Sequence, residues 1–200
     1  MEVIIRIAVL ASGTGTNLQS LIDTPDLGAD IALVVSDRPQ IPALSRAHSS
    51  GIPTTVVPWE SFASRFAFSE AVGDEVDRVG AECVVLAGFM RVLAPPMVSR
   101  FRNRMLNIHP SLLPSFPGPN AVAQALDHGV KVTGVTVHFV DEEVDHGPII
   151  AQRAVAVLPD DDEESLHRRI QVEEHTVYPE VVRAFARGEI EMADGKVRWR

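Results

Sequence analysis

Short runs of β-branched and aliphatic residues alternate with longer stretches of mixed polarity through the first half of the chain. The runs occupy residues 3–10, 31–36, 54–57, 83–87 and 104–108. Between them, apolar positions recur at helical spacing over 17–23, 42–49, 61–79 and 95–101. Pro42 and Pro95 open two of these stretches, at the helix position where a missing N–H costs nothing. Such alternation predicts βαβ units around a parallel sheet, and the unbroken apolar run 83–87 predicts a strand covered on both faces.

Beyond Pro110 the pattern changes. Residues 111–120 hold Pro114, Pro117, Gly118 and Pro119, which predicts a loop. A short helix over 121–128 ends at Gly129, and the runs 133–140 and 149–157 predict two long strands. Five consecutive acids at 160–164 precede a helical pattern that reaches about Ala186, and their charge suits the positive end of a helix dipole. Residues 189–192 and 196–200, joined by Ala193-Asp194-Gly195, predict a hairpin. The expected fold is α/β: one domain over residues 1–200, with an open, mostly parallel, Rossmann-like sheet, helices on both faces and an antiparallel C-terminal part.

With 200 residues, 46% of them hydrophobic, the chain can bury one continuous core. Its 18 Lys and Arg against 27 Asp and Glu leave a formal charge of −9, which argues against nucleic acid as a partner. Lys196, Arg198 and Arg200 are too few to form a basic face. No apolar run approaches the ~18 residues of a bilayer span, and acidic Glu2 before a short apolar run does not make a secretory signal, so no membrane partner is expected. The single cysteine, Cys83, excludes an internal disulfide; a packed core thiol and a cytoplasmic address are the expectations.

Three constellations carry chemistry. Ala11-Ser12-Gly13-Thr14-Gly15-Thr16-Asn17 links the first strand to the first helix. Glycines there let the backbone approach an anion, Ser12, Thr14 and Thr16 offer hydroxyl donors, and a helix N-terminus offers free N–H groups, so a phosphate monoester fits. A dinucleotide is the rival ligand, because Asp37 ends the second strand about twenty residues on, where a ribose-binding acid would stand. Leu18 at the third glycine position of that fingerprint opposes it, and the lack of Gly-Lys-Ser/Thr excludes a triphosphate loop. A purely structural tight turn is the third reading.

Asn107-Ile108-His109-Pro110-Ser111 stands at the carboxyl end of a predicted central strand, where open α/β sheets bind ligands. Alternation turns Asn107 and His109 to one face. An amide can donate to a developing oxyanion, and an imidazole can donate or move a proton near neutral pH. The bland alternative is a strand end followed by a capped loop. Asp141-Glu142-Glu143-Val144-Asp145-His146, with His138 before it, puts four carboxylates in five residues. One of them could stand against His109 and keep that ring protonated, or all could form a solvated turn. A metal held by His138, His146 and these acids lacks the spacing of helical metal sites, so no metal is expected.

Four blocks, Ser12 to Gln19, Leu86 to Arg91, Leu106 to Pro114, and Gly134 to Val140 with Asp145-His146-Gly147-Pro148, together resemble the folate-dependent formyltransferases. Their order resembles in particular the phosphoribosylglycinamide formyltransferase family. The resemblance implies transfer of the formyl group of 10-formyltetrahydrofolate, as co-substrate, to the amine of glycinamide ribonucleotide in purine synthesis. It implies that Gly15, Thr16 and Asn17 bind the substrate phosphate, assisted by Gln171 and Glu174. It implies a folate pocket from Arg65, Met90, Arg91, Val92, Leu93 and Asn107, with Asp141, Glu142, Glu143, Val144 and Asp145 as its pterin-side loop. Asn107, His109 and Asp145 match the family's catalytic triad, and only the resemblance selects Asp145 among its acidic neighbours. The chain departs from several relatives at Val122, where they carry a histidine, so no second catalytic histidine is expected from that loop. Relatives that act on methionyl-tRNA or hydrolyse formylfolate carry an additional domain, which a chain of this length is expected to lack. A non-catalytic nucleotide-binding regulator would need the glycine loop but not Asn107 with His109. A homodimer is left open.

Overall fold

The computed structural model describes residues 4–200, so Glu2 and Val3 of the sequence reading lie outside it. β1 (Ile5–Ala11) runs through the centre of the fold. Its residues alternate between two apolar layers, Ile7, Val9 and Ala11 in one and Ala8 and Leu10 in the other, all fully buried. Burial on both faces is why the strand reads as an unbroken apolar run. α1 (Thr16–Ile22) leads to β2 (Ala29–Ser36), α2 (Pro42–Ser49) to β3 (Thr54–Val56), α3 (Arg65–Arg78) to β4 (Cys83–Leu86) and α4 (Pro95–Arg100) to β5 (Met105–His109). These five strands are parallel. α5 (Ala121–His128) precedes β6 (Val132–Phe139) and β7 (Ile149–Ala156), which add in antiparallel sense. α6 (Glu163–Ala186) and a separate hairpin of β8 (Ile190–Ala193) and β9 (Lys196–Trp199) complete the chain. The seven-stranded sheet has the order β3-β2-β1-β4-β5-β6-β7, with α1, α2 and α6 packed on one face and α3 and α4 on the other. The α/β fold expected from the pattern is the fold observed.

Local chemistry moves some boundaries. The helix expected over 61–79 is interrupted: a 3-10 turn occupies Trp59–Ser61, and α3 begins after Ser64, whose extended backbone lets its hydroxyl accept the Ala67 N–H at 3.2 Å. Of the five acids at 160–164, Asp162 is the cap of α6, accepting the Ser165 N–H at 2.7 Å. Glu163 and Glu164 occupy the first turn, while Asp161 is taken by Arg169, whose guanidinium holds its carboxyl well below the usual carboxylate range. Asp194 and Gly195 take φ of 52° and 73°, as a two-residue hairpin turn with both central residues left-handed requires. Among the described residues no helix is long and apolar enough to cross a membrane.

The topology sets the place of the site. Connections from β1 and β4 leave in opposite directions along the sheet, so the loops after these neighbouring strands part and open a crevice at their carboxyl ends. The fully buried Tyr178 of α6 puts its hydroxyl 2.7 Å from the Leu86 carbonyl and 3.1 Å from the Leu106 carbonyl, tying the end of β4 to β5 and to α6.

Candidate active site

β5 delivers Asn107 and His109 to this crevice, and the antiparallel β6 sets His138 directly opposite Asn107. Cross-strand partners bring their side chains together, and Asn107 Nδ2 lies 3.1 Å from His138 Nε2. The other ring nitrogen, Nδ1, donates to the Phe139 carbonyl at 2.8 Å, which leaves Nε2 to accept from the amide. The remaining N–H of Asn107 meets Asp145 Oδ1 at 3.4 Å, beyond the favoured range.

Asp145 follows β6 in the loop 141–145 with φ of 51°, a left-handed conformation that Asp and Asn tolerate better than most residues. Its Oδ2 accepts the Gly118 N–H at 2.8 Å and faces His109 Nδ1 at 3.3 Å. On the far side of the ring, His109 Nε2 lies 2.8 Å from the Phe116 carbonyl, which can only accept, so that nitrogen carries a proton. Both ring nitrogens of His109 therefore face oxygen acceptors. Burial pushes the Asp145 carboxyl upward, but the neighbouring His138, the Gly118 N–H and His109 lower it by more, and it sits below the ordinary carboxylate value. The stability this carboxylate contributes is therefore complete above the ordinary value of ~4 and is lost as pH falls through its lower folded value.

These groups stand at a cavity of about 470 Å³. Of the expected folate-facing residues, Met90, Arg91, Val92, Leu93, Asn107 and Asp141 through Asp145 line it. Arg65 does not; it is exposed in the first turn of α3. Leu86, Phe89, Val98 and Val140 make the lining largely apolar, as a slot for a planar ring system requires. Asp37, the acid that the dinucleotide reading needed, is buried and accepts Arg91 Nε at 2.7 Å, so it presents no free face to a ribose. Val122 lies in the first turn of α5 and is buried in the core. The two histidines of the metal reading have separate partners, His138 with Asn107 and the exposed His146 with Asp141 at 2.8 Å, a bond that raises the His146 pKa.

In the glycine loop after β1, packing requires the glycine at position 15. Gly15 has φ of 73°, and a Cβ on it would lie 2.7 Å from both Cα and Cβ of Ala43, so α2 already excludes a side chain there. Ser12 is buried; its oxygen accepts the Met90 N–H at 2.9 Å and its own N–H donates to the Gly88 carbonyl at 3.1 Å. It ties together the loops after β1 and β4 and does not line an open anion site. Asn17 is buried as well, its Nδ2 donating to Glu174 Oε2 at 3.0 Å and its Oδ1 without a partner among the described residues. Burial raises the Glu174 carboxyl by more than that hydrogen bond lowers it. Gln171 is half-buried one turn earlier on α6. Gly15→Ala is expected to cost about 1–3 kcal/mol, as overpacking against Ala43 at a positive φ. The check is a urea midpoint that falls at constant m-value; an unmoved midpoint would mean that α2 yields freely.

Sequence reasoning weighed His138 only as a metal ligand, and did not single out the backbone groups of Phe116 and Gly118 or Arg46. Arg46 of α2 donates to the Thr14 carbonyl at 2.9 Å and to Gln19 Oε1 at 3.1 Å, which brings a positive charge to the glycine loop. His138 had a signal, since it lies in a predicted strand two residues from its end; only the register could tell that it meets Asn107.

With the geometry in place, likeness to known proteins becomes informative. Residues 5–182 match the formyl transferase family. Phosphoribosylglycinamide formyltransferase of Escherichia coli (strain K12) is 42% identical over 190 residues, 94% of this chain and 90% of that protein. The trifunctional purine biosynthetic protein adenosine-3 of Bos taurus is 45% identical over 97% of this chain, which spans only 20% of that protein's length. The crystal structure of glycinamide ribonucleotide transformylase 1 from Symbiobacterium toebii superposes with a TM-score of 0.95 at 48% identity, covering 98% of this chain and 94% of that one. Since identity on this scale runs through nearly the whole Escherichia coli protein and the fold superposes as closely, the chain belongs to the formyl transferase family and, within it, to the phosphoribosylglycinamide formyltransferases.

Proposed function

We propose that this protein, as one formyltransferase domain over residues 1–200, transfers the formyl group of 10-formyltetrahydrofolate to the amine of glycinamide ribonucleotide, a step of purine synthesis in the cytoplasm. The observation that carries the reading is the contact of Asn107, His109 and Asp145 at a cavity whose wall residue Met90 is tied to Ser12 of the glycine loop. The amine nitrogen attacks the formyl carbon, and as the new C–N bond forms the formyl oxygen becomes negative. The Asn107 N–H held only by its 3.4 Å contact to Asp145 is the donor free to turn to that oxygen. A well-placed donor of this kind contributes about 3–4 kcal/mol to the transition state. His109, expected from sequence to donate as well, has both nitrogens engaged, so its contribution is the field of a ring held by Phe116 and Asp145. Collapse of the tetrahedral species breaks the bond between carbon and the folate nitrogen. The proton released by the amine passes to that nitrogen through water ordered by Asp145.

In this reading Met90, Arg91, Val92, Leu93 and the loop from Asp141 to Asp145 hold the folate. Gly15, Thr16 and Asn17 hold the nucleotide phosphate, with Gln171, Glu174 and the charge of Arg46 behind them. The partners are these two small molecules, without nucleic acid, membrane or metal. Val92→Asp should raise KM for 10-formyltetrahydrofolate by about tenfold or more, because the bound ring would desolvate an unpaired charge, while KM for glycinamide ribonucleotide stays put. Steady-state kinetics in both substrates decide this, and a shift confined to the nucleotide would move the folate pocket elsewhere. The reading as a whole is tested by following loss of formylfolate spectrophotometrically with and without glycinamide ribonucleotide. Turnover that requires the nucleotide supports it; equal turnover without it would make the protein a hydrolase.

A further inference from the structure

Residues 87–94 have no helix or strand, yet they form much of the cavity wall. Their shape must be held by contacts from outside. Two come from hydroxyls: Met90 N–H donates to Ser12 Oγ at 2.9 Å, and Ala94 N–H donates to Ser69 Oγ at 2.9 Å. Between these anchors Arg91 reaches away to the end of β2, where its Nε donates to Asp37 Oδ2 at 2.7 Å. The Asp37 side chain is wholly buried, its Oδ1 has no partner among the described residues, and its second cation, Arg38, is no nearer than 3.6 Å. A buried carboxylate with one oxygen unmatched is costly, and the arginine charge chiefly offsets that cost. The pair is therefore mutually dependent.

Trp59 completes the arrangement. Its backbone N–H donates to the Asp37 carbonyl at 3.1 Å, and its ring lies 5.0 Å from the Arg91 guanidinium carbon. The same ring meets Phe68 edge-on at 5.0 Å, and Phe68 stacks at 6.3 Å on Phe89, which lies in the cavity wall. Asp37 thus grips the wall twice, through Arg91 directly and through Trp59 and Phe68 to Phe89.

We infer that Asp37 is a positioning residue for the cavity wall: with Trp59 it clamps Arg91, so that the 90–92 backbone is offered to the folate in one conformation. Only the naming of the ligand rests on the proposed function; the clamp is a property of the wall itself. Freed of Asp37, the guanidinium would be an unpaired cation at the edge of an apolar slot.

Asp37→Asn keeps the size of the side chain and a carbonyl acceptor but removes the charge. We expect KM for 10-formyltetrahydrofolate to rise about tenfold or more, the scale of a charge-assisted hydrogen bond. In the same variant kcat and KM for glycinamide ribonucleotide should stay within about twofold. Amide hydrogen exchange of the unliganded protein should quicken at residues 90–93 while exchange in the glycine loop is unchanged. A double variant with Arg91→Met should lose no more than Arg91→Met alone. Protection lost evenly along the chain, with both KM values unmoved, would reduce Asp37 to a stability residue and overturn the inference. Additive losses in the double variant would show that Asp37 does not act through Arg91. Unaltered exchange at 90–93 would overturn the clamp whatever the ligand is, whereas a wild-type protein inactive toward 10-formyltetrahydrofolate would overturn the proposed function and leave the exchange result to judge the clamp.

Discussion

Asn107→Ala is expected to lower kcat for formyl transfer by about a hundred- to a thousandfold with both KM values nearly unchanged, the mark of an interaction made only in the transition state. The reason is the unequal bonding of its two amide hydrogens. One is committed to His138 Nε2 at 3.1 Å, and the other has only the 3.4 Å contact to Asp145. A developing oxyanion can capture the second without breaking a good bond. The backbone of Asn107 pairs with Leu86 and His138 in the middle of the sheet, so alanine should leave β5 in place. Steady-state kinetics of a variant shown to fold by circular dichroism give the answer, and a loss that appears in KM alone would assign Asn107 to ground-state binding.

Asp145→Asn should lower kcat by about a hundredfold or more, with little change in either KM. Asparagine suits the test because it accepts the φ of 51° and can still take the Gly118 N–H through its carbonyl. What disappears is the negative charge 3.3 Å from His109 Nδ1. Without it an amide faces the ring, and the field that His109 and Asp145 create together is lost. His109→Ala should cost a similar factor, and the double variant should lose far less than the sum of the two in activation free energy, since members of one unit are not additive. Strict additivity would make Asp145 an ordinary loop carboxylate.

Much of the framework was legible because the parallel strands are buried on both faces. An unbroken apolar run such as 83–87, between Glu82 and Gly88, has few other readings, and Pro42 and Pro95 mark helix starts. The break before α3 was also present locally, in Ser64, but the apolar spacing of 61–79 ran across it. Strand order and register were not legible, because they depend on pairings between distant segments. That is why the partner of His138 was not foreseen: its contact with Asn107 needs β6 to return antiparallel in one register. Asp145 could not be told from three neighbouring acids by residue type, since its left-handed backbone and its reach to Gly118 belong to the folded loop. Asp37 had the right position and a different job: it stands where a ribose-binding acid would but holds Arg91.

The central claim is that the formyl carbon passes from folate to the nucleotide amine at Asn107, His109 and Asp145. It is tested most directly by tracing that carbon: 10-formyltetrahydrofolate labelled with carbon-13 in the formyl group is incubated with the protein and glycinamide ribonucleotide, and the products are read by NMR. The account predicts that the label appears as a formamide on the nucleotide, at a rate that collapses in Asn107→Ala and Asp145→Asn. Label recovered as free formate, or label transferred as fast by both variants as by the natural sequence, would contradict it.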